Sequence, residues 1–189
     1  MSDTDSISTN HTTQIRFGGV GGQGMVLAGR LLGKAAALFD GKEAVCTQTY
    51  GPEARGGASR ADVIISDGPV DYPHVTEADV LAVLFHEAYT RFRSRLRPGG
   101  ILIVDTVLVQ PFADEEDVCG LPATEIAEGL GSRLVTNIVV LGYLIGKTGV
   151  VSRESVEEAI RTTVKKQFVD LDMQALDAGM RLAQGETAS

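Results

Sequence analysis

This chain is poor in the residues that most often carry chemistry. It has two cysteines, Cys46 and Cys119, far apart and without C-x-x-C spacing. They cannot by themselves hold a zinc ion or an iron–sulfur cluster. Such sparing use of thiols fits a reduced, cytosolic compartment. Positive charge is also short, with 17 Lys and Arg against 25 Asp and Glu, for a net charge of −8. A nucleic-acid partner needs a basic surface, so this balance argues against one. No apolar run approaches the roughly 20 residues that span a bilayer. The polar stretch 1–13 has neither a basic start nor an apolar core, so it reads as a disordered tail rather than a signal peptide. No Ser/His/Asp spacing, H-E-x-x-H or paired carboxylates stand out. Of three histidines, His11 is in the tail, His74 follows Tyr72-Pro73 in a turn, and His86 opens a helix. No residue is assigned a catalytic role on this basis.

What remains is 43% hydrophobic and 22% charged, the composition of a globular domain. The expected organisation is one domain over 14–184, with tails at 1–13 and 185–189. Short β-like runs alternate with helical ones, which predicts an α/β fold, Rossmann-like, with a mostly parallel sheet and helices on both faces. Strands are expected over about 14–19, 44–48, 60–66, 80–85 and 101–104. Val80 to Phe85 is continuous and apolar, as in a strand buried on both faces. Helices are expected over 23–39, with Val26, Leu27, Leu31, Ala35 and Leu38 near one face and Gly41 as C-cap, and over 86–96. Beyond Asp105 the chain reads as helical: 123–130, 134–147, 152–166 and 170–184. The acidic run 114–117 reads as a solvated face.

Two glycine-rich loops carry the functional signal. The first, Gly18-Gly19-Val20-Gly21-Gly22-Gln23-Gly24, joins the first strand to the first helix and contains G-x-G-x-x-G. Glycines there permit a tight turn and close backbone approach, and the helix start aims free N–H groups and a positive dipole end at an anion. Gln23 can donate to a ligand or fix the neighbouring loop. A NAD site also wants an acid at the end of the second strand, yet that strand ends Cys46-Thr47-Gln48-Thr49, and Glu43 comes before it. The second loop, Tyr50-Gly51-Pro52-Glu53-Ala54-Arg55-Gly56-Gly57, follows at the carboxyl edge of the sheet, where open α/β sheets bind ligands. Arg55 can grip phosphate or carboxylate bidentately. Asn137 is a polar residue inside an apolar helix, placed either to reach a ligand or loop or to serve as a satisfied core amide.

Taken in order, GVGGQG and TYGPEARGGAS resemble the gamma subunit, or gamma-type domain, of 2-oxoacid:ferredoxin oxidoreductases. The likeness continues through Ala78-Asp79-Val80-Leu81, Leu96 to Ile103 and Asn137 to Gly142. It ends at Leu171 to Gly179, where the family pattern usually has Asn in place of Asp172. It covers about 14–183. The resemblance implies oxidative decarboxylation of a 2-oxoacid with coenzyme A to acyl-CoA, CO₂ and reduced ferredoxin. It implies that thiamine diphosphate, Mg and iron–sulfur clusters lie on partner subunits: a thiamine-diphosphate-binding subunit, an alpha-type subunit and a ferredoxin-type subunit. On that reading Gly19, Gly21, Gly22, Gln23 and Gly24 contact or shape the coenzyme A site. Tyr50, Gly51, Pro52, Glu53, Arg55, Gly56 and Gly57 face them, and Asn137 stands nearby. The second loop is closer to the 2-oxoglutarate or pyruvate branch than to the HGMAQRGG of indolepyruvate enzymes. The alternatives are an indolepyruvate oxidoreductase subunit, a NAD-dependent dehydrogenase or a non-catalytic nucleotide-binding module.

Overall fold

The structure is a computed structural model, which describes residues 11–49, 58–115 and 117–186. These form a six-stranded sheet in the order β2-β3-β1-β4-β5-β6. The strands are β1 (Thr12–Val20), β2 (Glu43–Thr49), β3 (Ala58–Ser66), β4 (Ala78–Val83), β5 (Leu96–Asp105) and β6 (Val118–Leu121). The helices are α1 (Met25–Lys34), α2 (His86–Phe92), α3 (Ala123–Gly129), α4 (Thr136–Thr148), α5 (Arg153–Arg161) and α6 (Lys166–Ala183). Five strands run in one direction. Only β3 opposes them, pairing antiparallel with both β1 and β2. The mostly parallel α/β expectation holds, with β3 inserted between β1 and the strand its crossover helix leads to.

Alternation along the strands divides the core. Ile15, Phe17, Val63, Val80, Ala82 and Ile103 face a large cluster with α1 and α3 to α6. Leu81, Val83, Leu102 and Val104 face the other side, where Ala88, Tyr89 and Phe92 of α2 cover them. On that sparser side Arg16 and Asp62 sit directly opposite each other on β1 and β3. Both are buried and joined by two hydrogen bonds of 2.7 and 2.8 Å, and a third runs from Arg16 to the Val75 carbonyl at 2.9 Å. The Arg16 guanidinium also lies 5.6 Å from the centre of the Phe92 ring.

The largest helix pairing is α4 with α6. A Cβ on Gly142 would stand 2.2 Å from the Leu176 carbonyl oxygen, and one on Gly179 would stand 2.0 Å from that of Val139. Glycine at these two positions lets the helix backbones touch. Among the described residues, no helix is long and apolar enough to cross a membrane.

Several expectations need correction. β6 has no counterpart among the expected strands, and it adds in parallel to β5. A four-residue edge strand containing Gly120 leaves almost no periodic trace. α1 ends in a π-helical turn over Ala35–Phe39, whose wider winding rotates Leu38 out of the packed face to 66% exposure. The helix read as 152–166 stops at Arg161, where the Thr162 hydroxyl bonds back to the Glu158 carbonyl, and α6 starts at Lys166 rather than at 170. The strand expected over 101–104 begins earlier, since β5 opens at Leu96 across an irregularity in its pairing with β4. The acidic run is not simply solvated. Glu115 is paired with Arg93 and accepts from the Tyr89 hydroxyl at 2.9 Å. The Arg93 contact, more than the Tyr89 bond, holds its carboxyl below the usual range.

Candidate functional site

β1 and β4 are parallel neighbours, and the helices that follow them, α1 and α2, cover opposite faces of the sheet. Their carboxyl ends therefore splay apart into a crevice, the position at which open α/β sheets take ligands. The glycine turn occupies it. Val20 to Gln23 closes a turn, with Gln23 N donating to the Val20 carbonyl at 3.2 Å. Gly22 has φ +94° and Gly24 φ +73°, values that L side chains rarely adopt. A Cβ on Gly21 or Gly22 would meet nothing within 4 Å, so the front of the turn is open. Behind it, a Cβ on Gly19 would come within 2.9 Å of Gln23 Oε1 and Met25.

Gln23 acts as the brace. Its Oε1 accepts from Val20 N at 2.8 Å, and its Nε2 donates to the Leu84 carbonyl at 2.7 Å. The one amide ties the turn to itself and to the end of β4. α1 has no side-chain cap and no acid in its first turn, so its leading N–H groups are left for an external acceptor.

Asn137, buried in the first turn of α4, lies against Gly24. Its Nδ2 donates to the Gly24 carbonyl at 3.0 Å, while its Oδ1 has no partner. The residue therefore reaches the loop, and one of its two polar atoms remains unsatisfied.

The crevice, about 150 Å³, is lined by Gly22, Gln23, Leu84, Leu108, Arg133 and Leu134, with Thr124 and Thr136. Arg133, Leu134 and Leu108 come from segments that reading along the chain does not bring together. Arg133 is 58% exposed and its nearest carboxylate, Glu128, is 4.0 Å away, a surface pairing of little strength. No described residue lining the crevice is a histidine, carboxylate or cysteine. The site can hold an anion on N–H groups and a guanidinium, but these residues move no proton. A wider recess of about 750 Å³ adjoins it through Leu108 and includes His86, Thr106, Val107 and Gln110.

The second loop, with Tyr50, Gly51, Pro52, Glu53, Arg55, Gly56 and Gly57, lies outside the described residues. Its two roots are described. Thr49 ends β2, and Ala58 pairs with Val20 at the last rung of β1, so both roots stand at the edge that carries the glycine turn. Glu43 begins β2 at the opposite edge. On the β2 side the strand beside β1 is the antiparallel β3, which presents its amino end at this edge and not the carboxyl end that carries the ribose-binding acid of a dinucleotide site. Cys46 and Cys119 lie on β2 and β6, the two outer strands, about 24 Å apart at normal strand spacing. They cannot ligate one cluster together.

An open α/β sheet with an uncapped, glycine-led helix at its switch point is the architecture of a subunit that can offer N–H groups to an anion, and among the described residues lining that crevice none is an acid–base group. The model of the pyruvate ferredoxin/flavodoxin oxidoreductase family matches residues 14–182, and the chain belongs to that family, as a gamma-type subunit. It is 46% identical over 175 residues to the 2-oxoglutarate synthase subunit KorC of Methanocaldococcus jannaschii, covering 90% of this chain and 94% of that one. The gamma subunit of a keto/oxoacid ferredoxin oxidoreductase from Geobacter sulfurreducens superimposes with a TM-score of 0.81 at 41% identity, over 92% of this chain and 99% of that one. A 2-oxoglutarate:ferredoxin oxidoreductase from Magnetococcus marinus, solved with 2-oxoglutarate, coenzyme A and succinyl-CoA, shares the fold. Its TM-score is 0.83 at 24% identity, over 94% of this chain and 32% of that one.

Proposed function

We propose that the chain is the gamma subunit of a 2-oxoglutarate:ferredoxin oxidoreductase and that its glycine turn holds the pyrophosphate of coenzyme A. The reaction converts 2-oxoglutarate, coenzyme A and two oxidised ferredoxins to succinyl-CoA, CO₂, two reduced ferredoxins and a proton. Thiamine diphosphate with Mg supplies the carbon–carbon cleavage and iron–sulfur clusters carry the electrons. These belong to the thiamine-diphosphate-binding, alpha-type and ferredoxin-type partner subunits, in the cytoplasm. The choice of 2-oxoglutarate rests on near-full-length identity of 46% to KorC proteins, against 34% to a ketoisovalerate oxidoreductase subunit and 33% to an indolepyruvate oxidoreductase subunit.

The observation that carries the binding role is the uncapped α1 N-terminus opening on the switch-point crevice. A diphosphate accepts several N–H bonds there and is favoured by the helix dipole. Gly21 and Gly22 leave room for it, Gln23 sets the shape of the turn, and Gly24 with Asn137 fixes where the helix begins. Arg133 adds a positive charge at the mouth. The crevice is smaller than the roughly 300–1,000 Å³ of a whole-ligand pocket. The remaining walls come from the Tyr50 to Gly57 loop, with Arg55, and from partner subunits.

The test is viologen reduction by the co-expressed complex, with 2-oxoglutarate and then pyruvate, with and without coenzyme A, and with this chain omitted. Activity that requires 2-oxoglutarate, coenzyme A and this subunit is expected. Substituting Gly22→Ala forces a strained φ and raises the KM for coenzyme A about tenfold or more while the 2-oxoacid KM holds. An unchanged coenzyme A KM in an assembled complex sinks the binding role.

A further inference from the structure

α1 carries two cations one turn apart, Arg30 and Lys34, on one face of the helix. They open onto a groove of about 500 Å³ whose other walls are Cys46 and Gln48 of β2 and Thr162 and Thr163 of the link between α5 and α6. This groove exists because α5 stops at Arg161. Its charge is one-sided, since no described aspartate or glutamate lines it. Asp62, the acid held by Arg16, pairs in register with Thr47, so it projects from the opposite face of the sheet to Cys46.

Arginines elsewhere are mostly engaged. Arg16, Arg60, Arg93, Arg97, Arg153 and Arg181 each lie within 3.6 Å of a carboxylate. Arg30 has no hydrogen bond or ion pair among the described residues, and its charge acts on the Cys46 thiol across the groove. Lys34 is positioned but not neutralised. Its Nζ donates to Thr163 Oγ1 at 2.9 Å and to the Thr162 carbonyl at 3.2 Å. An ammonium has three donors, so one remains, beside the whole planar fork of Arg30.

We propose that this groove is a binding site for a phosphate monoester. Two cations match the nearly two negative charges such a group carries at neutral pH. Its three terminal oxygens can occupy the Arg30 fork with two and the free Lys34 donor with the third. A carboxylate, with two oxygens, fills the fork alone. Two sources present this group: free phosphate, and the ribose 3′-phosphate of coenzyme A. The second source rests on the proposed function. It is compatible with placement on α1, since Arg30 is about 9 Å of helical rise from Gly24.

The test uses the full chain, isotopically labelled and titrated with inorganic phosphate, coenzyme A and dephospho-coenzyme A, which lacks only that monoester. Saturable shifts at the Thr162 and Thr163 amides and at the Arg30 side chain are expected. The double substitution Arg30→Gln/Lys34→Gln, checked for an intact fold by circular dichroism, weakens binding about tenfold or more. A response to coenzyme A that dephospho-coenzyme A fails to reproduce assigns the ribose phosphate. A response to inorganic phosphate alone assigns the free ion. A groove unmoved by all three probes, or one that responds equally to the two coenzymes and not to phosphate, overturns the proposal. So does a double variant that binds as tightly as the parent. Gly22→Ala separates the two readings, because it disturbs the turn and leaves phosphate binding at the groove intact.

Discussion

Asp172 is a carboxylate without a counter-ion among the described residues, 6% exposed on α6, and burial pushes its pKa up to about 6. In the unfolded chain it titrates near 3.8. The folded state therefore binds the extra proton between those values. The group's favourable contribution is full below pH 3.8 and is lost as the pH rises through 6, so at neutral pH the ionised form destabilises the fold. Asp172→Asn removes that charge. It is expected to stabilise by about 1–2 kcal/mol at pH 7.5 after allowance for screening, or about 2–6 °C in Tm. The gap should close as the pH falls to 4; a gap independent of pH contradicts the account. Arg16 and Asp62 follow the opposite logic, because both partners are buried and paired. Asp62→Ala strands a buried guanidinium and should cost about 3–5 kcal/mol in urea unfolding, whereas Arg16→Met with Asp62→Leu recovers most of it. A double variant as unstable as the single one shows that the site needs its charges for packing as well.

At the scale of elements, what could be read from the sequence depended on how local the signal was. β1 and β5 announce themselves by apolar runs ending at glycine or aspartate, β4 by the continuous apolar run from Val80 to Phe85, and the glycine turn by its position between a strand and a helix. The direction of β3 is written in no residue of β3, since antiparallel and parallel strands of one composition look alike. It follows from the hairpin with β2. Asn137 was legible as an odd polar residue, but its bond to Gly24 spans the sequence from α1 to α4. Arg133 and Leu134 were not legible as site residues, because only the packing of α3 and α4 on the face of the sheet that α1 covers brings them to the turn. The α4–α6 contact is equally non-local, and it sets a prediction. Gly179→Ala places a Cβ 2.0 Å from the Val139 oxygen and 2.7 Å from Tyr143 N, so the two helices must separate. A loss of about 3 kcal/mol is expected in chemical denaturation. Gly129→Ala, in α3 with nothing within 4 Å, is the control and should gain about 0.5–1 kcal/mol. Equal effects at the two positions would mean that helix propensity, not backbone contact, governs both.

For the whole molecule, the distribution of exposed apolar side chains bears on assembly. Leu134 is 77% exposed, Phe112 49% and Val107 47%. Leu134 lines the switch-point crevice and Val107 the adjoining recess, and Leu108 belongs to both hollows. An apolar rim around a polar, positively charged mouth is wasteful on a free subunit and useful where a second chain closes the site. The crevice itself argues the same way, since its described lining supplies donors for an anion and no group to move a proton. In the proposed complex this rim is where partner subunits complete the coenzyme A site. Leu134→Glu with Val107→Glu should therefore leave the isolated chain folded, with Tm changed by no more than about 2 °C, because exposed positions contribute little to the core. The same pair should abolish co-purification with the partner subunits and, with it, coenzyme A-dependent viologen reduction. A complex that assembles at normal stoichiometry with both substitutions would place the interface elsewhere on the chain.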